Sequence, residues 1–286
     1  MAQRDQAFTE NASGAFFVDR SCIDCGTCYT LAPEVFRDTG SHSVVHRQPE
    51  TQDERLSASM ALVACPTASI GTTDKELMAA ASGAFPAPIE GPVSFCGYTS
   101  EASFGAWSYL VERPEGNVLM DSPRAAAPLL KRLEERGGVS LMVLSHRDDV
   151  ADHALFHRHF GCTRVMHRDD GLHGLERYVE GEDAVSLAPD LTFIPTPGHT
   201  AGSGCLLFRD FLFTGDHLWW NPEVRKLSAS RSLNWYSWPQ QLRSLEKLLD
   251  FDFRWVLPGH GASLRTESPR QMRAELEQGL ARLRSL

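Results

Sequence analysis

From about residue 104 onward, apolar residues alternate between strand-like runs and one-sided helical spacing. Residues 104–111 and 116–121 predict a hairpin pair around the turn Arg113-Pro-Glu-Gly116. Leu129, Leu130 and Leu133 share one face of a helix predicted from Pro123 to Arg136, which Gly137-Gly138 would stop. Val139–Leu144 is a continuous apolar run, short enough for a strand covered on both faces, and it delivers the chain to Ser145-His146. A helix over Asp149–Phe160, closed by Gly161, follows. Residues 164–166, 191–194, 205–208 and 211–214 then read as strands, Pro239–Leu249 as a helix, Trp255–Pro258 as a strand and Glu267–Leu286 as a terminal helix.

The N-terminal part lacks this rhythm and is organised around cysteine. Cys22-Ile-Asp-Cys25-Gly-Thr-Cys28, with a remote Cys65-Pro66, is the spacing that holds one [4Fe–4S] cluster. A tight loop with a cysteine every third residue turns three sulfurs toward one cube, and the fourth corner is closed from elsewhere. Gly26 lets the backbone approach the inorganic sulfides, and Pro66 stops a helix after the last ligand. Zinc is the competing metal, but it usually takes two Cys-x₂-Cys pairs, whereas here the spacing is three plus one. A disulfide reading ranks lower, because Met1-Ala-Gln-Arg begins no secretory pattern. Residues 16–71, with Phe17-Val-Asp-Arg20 before the loop and Ala32-Pro-Glu-Val-Phe36 after it, resemble a single-cluster bacterial-type ferredoxin. The resemblance implies that Phe36 packs near the cluster, which a plain core aromatic would also do.

At 286 residues the chain is long enough for a ferredoxin-sized unit and a domain of about 200 residues. The expected partition is 1–75, a linker over 76–92, and 93–286. The linker expectation rests on Ala79-Ala-Ala-Ser-Gly-Ala-Phe-Pro-Ala-Pro-Ile-Glu-Gly-Pro92, rich in Ala, Gly and Pro and without lasting apolar period. The formal net charge of −9, with Lys and Arg scattered, argues against a nucleic-acid partner. No repeat or membrane-length apolar run is present in the sequence, so a cytoplasmic protein with no membrane or nucleic-acid partner is expected. Cys96, Cys162 and Cys205 have small or apolar neighbours and read as buried thiols.

Four predicted strand ends carry polar residues suited to a metal: His146-Arg-Asp148-Asp149, Thr196-Pro-Gly-His199-Thr200, Thr214-Gly-Asp216-His217 and Leu257-Pro-Gly-His260-Gly261. A lone histidine in such a loop is ordinarily just polar, but four in series are not ordinary. Gly198 and Gly259 each precede a histidine and allow a sharp turn. Imidazole with carboxylate suits zinc, iron or manganese. In this order and spacing, from about Val93 to Gly261, these motifs resemble the metallo-β-lactamase fold superfamily, including glyoxalase II. The resemblance implies an α+β protein: a small ferredoxin-like domain followed by an αββα sandwich with its site at one edge. His146 then matches the first histidine of the family's His-x-His-x-Asp-His loop, His199 the histidine of its Gly-His-Thr loop, Asp216 its bridging aspartate and His260 its last histidine. Asp121 would orient a ligand; simple turn initiation is its other reading.

The loop after His146 departs from that pattern. Asp148 stands where the family has its second histidine, and Val150-Ala151 stand where it has Asp-His. The first ion position keeps His146, His199 and Asp216, with Asp148 a candidate, and the second keeps only Asp216 and His260. Asp149, Asp152 or His153 could substitute if the alignment slips, with Asp149 and His153 one helical turn apart. Three outcomes follow. A mononuclear centre of two histidines and carboxylate resembles non-haem iron sites, and persulfide dioxygenases on this fold use positions matched here by His146, His199 and Asp216. Flavodiiron proteins also place a carboxylate where Asp148 stands, though they keep the second ion. The third outcome is a binding pocket without catalytic metal. The expected cofactors are a [4Fe–4S] cluster and one ion in the second domain, iron or zinc, with manganese a further candidate.

Clusters move single electrons, which hydrolysis does not need. The leading expectation is therefore an oxidoreductase in which the cluster feeds a metal at His146, His199 and Asp216. The alternatives are a metal-dependent hydrolase of a thioester, lactone or phosphoester, whose cluster is structural or a sensor, and a redox-responsive non-catalytic binding protein. A small-molecule substrate and an electron-donor protein are the candidate partners; oligomeric state is left open. Trp219-Trp220 and Trp235-Tyr236-Ser-Trp238 could wall an apolar pocket, stack a planar ligand, pack the ferredoxin unit, or simply fill core. Arg225, Lys226 and Arg231 between them could serve an anionic substrate or be solvated loop charge.

Overall fold

The computed structural model describes residues 1–285. Two large sheets form the bulk of the molecule. The first has seven strands in the order Arg177–Val179, Thr163–His167, Leu141–Val143, Val118–Met120, Tyr109–Val111, Val93–Phe95 and Ala87–Glu90. The second has six, in the order Val185–Ala188, Leu191–Pro195, Gly204–Phe208, Phe211–Gly215, Trp255–Pro258 and Leu264–Arg265.

The period of two along these strands sorts side chains into layers. Tyr109, Val111, Val118, Met120 and Val143 point inward from the first sheet to meet Phe193, Leu206, Phe213 and Leu257 from the second. Their sequence neighbours point outward: Leu110, Leu119 and Met142 pack under Leu129, Leu133 and Phe156 of the helices Ala127–Glu135 and His153–Phe160. On the other side, Ile194, Cys205, Leu212 and Val256 pack under Leu245, Met272, Leu276 and Leu280 of the helices Trp238–Lys247 and Pro269–Leu283. The result is the expected αββα sandwich. Cys96, Cys162 and Cys205 are buried in these layers, as their neighbours implied.

The N-terminal region has its own core, in which Phe16, Val18, Val35, Phe36, Val45 and Ile70 surround Cys28 and Cys65. Phe36 is fully buried in this core. The helix Gln52–Ala64 starts at a capping box, where Thr51 Oγ1 accepts from Glu54 N–H at 3.2 Å and Glu54 accepts from Thr51 N–H at 3.3 Å. It ends at Cys65-Pro66, so one helix delivers the fourth sulfur.

The stretch 76–92 is folded rather than semi-extended. Met78–Gly83 is a helix against Gln52–Ala64, and Ala87–Glu90 is the edge strand of the first sheet. Its alanines are strong helix formers that needed only a surface to pack on, and Ala81 and Phe85 are fully buried. Other boundaries move by a few residues: the helix expected from Asp149 begins at His153, and the one expected from Pro123 begins at Ala127. Among the described residues no helix is long and apolar enough to cross a membrane.

Candidate metal and cluster centres

Cys22, Cys25, Cys28 and Cys65 line one small recess with Val18, Ile23, Pro66 and Ile70. Gly26 makes the turn between the second and third cysteine at φ +83°, where a β-carbon would come 3.0 Å from the Tyr29 hydroxyl. Burial pushes the thiols of Cys22, Cys25 and Cys28 up, because a lone thiolate is poorly solvated there. Backbone N–H groups nevertheless aim at the sulfurs: Ser43 at Cys22 Sγ (3.4 Å), Asp24 at Cys22 Sγ (3.5 Å) and Ser69 at Cys65 Sγ (3.3 Å). Donors directed at sulfur and a recess without other counter-charge fit thiolates bound to iron, whose charge would replace the missing water.

The second centre is assembled from loops at strand ends on one edge of the sandwich. His146 follows Leu141–Val143, His199 follows Leu191–Pro195, Asp216 ends Phe211–Gly215 and His260 follows Trp255–Pro258. Gly198 lies so close to the helix Trp238–Lys247 that a β-carbon would fall 2.4 Å from the Gln241 α-carbon. Gly259 is constrained by the site itself, since a β-carbon there would meet Asp149 Oδ2 at 2.7 Å and Asp216 Oδ1 at 2.9 Å.

Two groups of donor atoms result, and Asp216 belongs to both: His146, His199 and Asp216, and Asp149, Asp216 and His260. In the first group Asp216 Oδ2 is 3.8 Å from His146 Nε2 and 3.9 Å from His199 Nε2. Asp148, half-exposed, approaches the same nitrogens at 3.9 and 3.7 Å. In the second, His260 Nδ1 is 2.7 Å from Asp216 Oδ1, and Asp149 is buried. The buried atoms His146 Nε2, His199 Nε2 and Asp149 Oδ2 have no hydrogen-bond partner, which is costly for polar groups unless an ion takes that place. The residues present therefore fit metal at both groups.

Electrostatics agree. Burial, then the Asp216 and Asp121 charges, push the Asp149 carboxyl well above its ordinary value. Burial alone would raise Asp216 too, but the facing His260, His146 and His199 hold it well below. Burial lowers His146, keeping its imidazole neutral and able to donate a lone pair.

His146, Asp148, His199, Asp216 and His260 all lie in this region, and of the three residues expected as substitutes only Asp149 joins them. The second group is not limited to Asp216 and His260, because Asp149 completes it. Asp152 and His153 do not reach it: Asp152 accepts from Ala125 N–H at 2.7 Å, and His153 faces Arg164 at 3.1 Å. With the helix starting only at His153, residues 147–152 form an irregular loop that swings Asp149 inward where a helical turn would not.

Two carboxylates set the loops. Asp121, at φ +56°, accepts from Ser145 N–H at 2.7 Å, and Ser145 Oγ meets His146 Nδ1 at 2.9 Å, so it fixes the residue that precedes His146. Asp170 was not anticipated. It accepts from Arg147 N–H (2.7 Å), Gly202 N–H (2.6 Å) and Thr200 Oγ1–H (2.9 Å), tying the His146 loop to the His199 loop. The only sequence signal was its place in Asp169-Asp170-Gly171, just past a strand.

The tryptophans divide. Trp219 and Trp235 wall a cavity of about 800 Å³ above the metal donors, while Trp220 and Trp238 pack against the outer core. Arg225 is exposed and Lys226 bonds Gln278 on the last helix, so neither faces the cavity. Cys25 and Tyr29 of the N-terminal region line this same cavity.

Comparison with known proteins agrees with both halves. Residues 18–72 match the family described as the 4Fe-4S single cluster domain of Ferredoxin I. Hydroxyacylglutathione hydrolase of Citrobacter koseri is 29% identical over 115 residues, 38% of this chain and 46% of that protein. The chain thus spans about half the length of this curated relative. Among solved structures, the BLEG-1 B3 metallo-beta-lactamase superposes with TM-score 0.50 at 19% identity, covering 64% of this chain and 96% of that one. ETHE1 from Myxococcus xanthus gives TM-score 0.48 at 22% identity, covering 65% of this chain and 84% of that one. Residues 103–260, more than half of the chain, match the model of the metallo-beta-lactamase superfamily, and to that superfamily the chain belongs.

Proposed function

We propose that this protein is an iron–sulfur metalloenzyme and an oxidoreductase, in which a [4Fe–4S] cluster on Cys22, Cys25, Cys28 and Cys65 exchanges electrons with a metal centre in the second unit. The units are a cluster unit over residues 1–75 and a metal unit that begins with the edge strand Ala87–Glu90, joined by the helix Met78–Gly83. One observation carries the reading: cluster ligand Cys25 and the donors Asp148, Asp149, His199, Asp216 and His260 line one cavity. Hydrolysis transfers no electrons, so a cluster ligand in the wall of the substrate pocket favours redox chemistry.

When bound, the cluster supplies or accepts single electrons, and an ion at the histidines supplies Lewis acidity or a second redox change. The chain's own residues do the rest. His146 and His199 offer ring nitrogens, that of His146 kept neutral by burial, and Asp216 stays ionised between the two groups. Phe104, Trp219, Leu233 and Trp235 present apolar surface around the donors, and Tyr29 closes the cluster side. Such a cavity suits a small substrate with an apolar body, often planar, and one polar head that reaches the metal. Trp235 and Leu233 are more than half exposed at its mouth and exclude water once a substrate covers them.

A second reading has its own support. Two donor groups sharing Asp216 are the arrangement of a two-metal hydrolase, which clamps the attacking and leaving oxygens. Metal analysis of protein purified without oxygen, with EPR before and after dithionite, separates the two. Iron or manganese beyond the four cluster irons, lost in His199→Ala, supports the oxidoreductase. Two zinc ions, with hydrolysis indifferent to cluster reduction, would replace it with the hydrolase.

A further inference from the structure

The segment Ser100–Tyr109 touches both centres. Its head is a tight turn in which Phe104 N–H donates to the Glu101 carbonyl at 3.0 Å and Gly105 N–H to the Ser100 carbonyl at 2.8 Å. This leaves Phe104 and Gly105 both at positive φ, 48° and 85°. Gly105 lies against the cluster ligands: a β-carbon there would fall 2.7 Å from Cys25 Cβ, 2.8 Å from Cys25 Sγ and 3.3 Å from Pro66 Cγ. Thr27 Oγ1 donates to the Gly105 carbonyl at 3.3 Å and lies 3.5 Å from Cys25 Sγ.

One peptide unit earlier, the Phe104 carbonyl faces His260 Nε2 at 3.3 Å, and His260 Nδ1 is 2.7 Å from Asp216. With Nε2–H given to the Phe104 carbonyl, the other ring nitrogen, Nδ1, is the one that faces Asp216 and the second donor group. The tail of the segment is fixed to the same loop, since Trp107 N–H donates to the Gly259 carbonyl at 2.7 Å and the Tyr109 hydroxyl to the Pro258 carbonyl at 2.6 Å. Ser103, Gly105, Ser108 and Tyr109 are buried. From Cys25 to Asp216 there is thus a chain of close contacts containing a single peptide unit.

We propose that this strap couples the redox state of the cluster to ion occupancy at Asp149, Asp216 and His260. An electron on the cluster tightens the ion at that position, and an ion there raises the cluster's reduction potential. The inference rests on the metal reading above. Its sign follows from Coulomb attraction between the added electron and the cation across a short, largely buried path. Its symmetry follows from linkage, because each partner must shift the other by the same factor. One external one-electron donor takes the cluster from the 2+ to the 1+ state, and the ion does not change oxidation state.

The test is an EPR-monitored dithionite titration of the full chain with and without saturating Zn²⁺, a redox-inert probe whose uptake is counted in the same samples. Zn²⁺ affinity about tenfold tighter in the reduced state is expected, which corresponds to a cluster potential raised by about 59 mV on Zn²⁺ binding. Thr27→Val, which loosens the strap at Gly105 without touching the metal donors, should keep the Zn²⁺ count and lose more than half of that shift. Zn²⁺ bound with an unmoved potential would overturn the coupling and leave the metal centre standing. A full shift in Thr27→Val would overturn the strap as its route, and protein that takes up no Zn²⁺ would overturn both.

Discussion

The cluster site and the metal centre are built by opposite strategies. All four sulfurs come from one local stretch, between residues 22 and 65, held by a loop and one helix. The metal donors come from four separate strand ends between residues 146 and 260 and meet only after two sheets have paired. A local site depends on spacing, and its ligands can be replaced only one for one. A site drawn from strand ends depends on topology, so a neighbouring residue can stand in for a lost ligand, and Asp149 lies beside Asp216 and His260 where it could do so.

The sharpest break of this contrast is at the shared ligand. Asp216→Ala should abolish ion binding at both groups, with metal affinity down at least about 100-fold, while the brown cluster chromophore persists. Loss of the cluster in that variant would mean that the two sites are not separately built. Next in size is Cys28→Ala in the N-terminal core. It should remove the cluster and destabilise that unit, yet elemental analysis should still find ions on the second unit. If those ions leave as well, the metal centre depends on more than its strand ends.

Asp149→Asn sharpens the substitution claim. It should weaken one ion by about 10- to 100-fold and leave the ion at His146 and His199 in place, so that titration shows one tight site. Two unchanged sites would return the second group to Asp216 and His260 alone. Asp170→Ala removes the carboxylate between the two histidine loops and leaves two backbone N–H groups unsatisfied, at a cost of about 2 kcal/mol in denaturant unfolding. An unaltered midpoint would show that the loops hold themselves.

The smallest effect is a pH one, away from both sites. Arg164 grips Glu176 through its Nη2 and Nε at 2.8 and 3.0 Å, and this hydrogen bonding holds the Glu176 carboxyl down to about 2, from an ordinary 4.5. A carboxyl lowered by folding binds fewer protons in the folded state than in the unfolded one. Its contribution is therefore complete above about 4.5 and is lost as pH falls toward 2. Glu176→Gln should flatten the acid limb of thermal stability over that window, and an unchanged limb would deny the pair its role.

Legibility in the sequence followed the same contrast. Cys22, Cys25, Cys28 and Cys65 were readable because the chemistry lies in the spacing. His146, His199, Asp216 and His260 were readable because each sits at the end of an apolar run, where strands deliver side chains to an edge. The sandwich was readable because Leu110 and Tyr109, or Ile194 and Phe193, face opposite layers. Asp149 could be named only as one of three substitutes, since the choice depended on a loop that is helical in the pattern and irregular in the fold. Asp170 and the strap at Phe104-Gly105 act through backbone groups far away in sequence, which no local pattern reports. The alanine-rich stretch 76–92 misled because the same composition suits a linker in water and a helix against a neighbour.

The central claim is that electrons pass between the two centres, and Mössbauer spectroscopy of ⁵⁷Fe-loaded full-length protein tests it most directly. Oxidised protein holding ferric iron in the second unit receives less than one equivalent of dithionite and is frozen after equilibration. The account predicts a high-spin ferrous doublet at the second site while the cluster remains in its 2+ state, and its absence when Cys28→Ala protein is treated alike. A second-site spectrum that does not change while the cluster is reduced would contradict it.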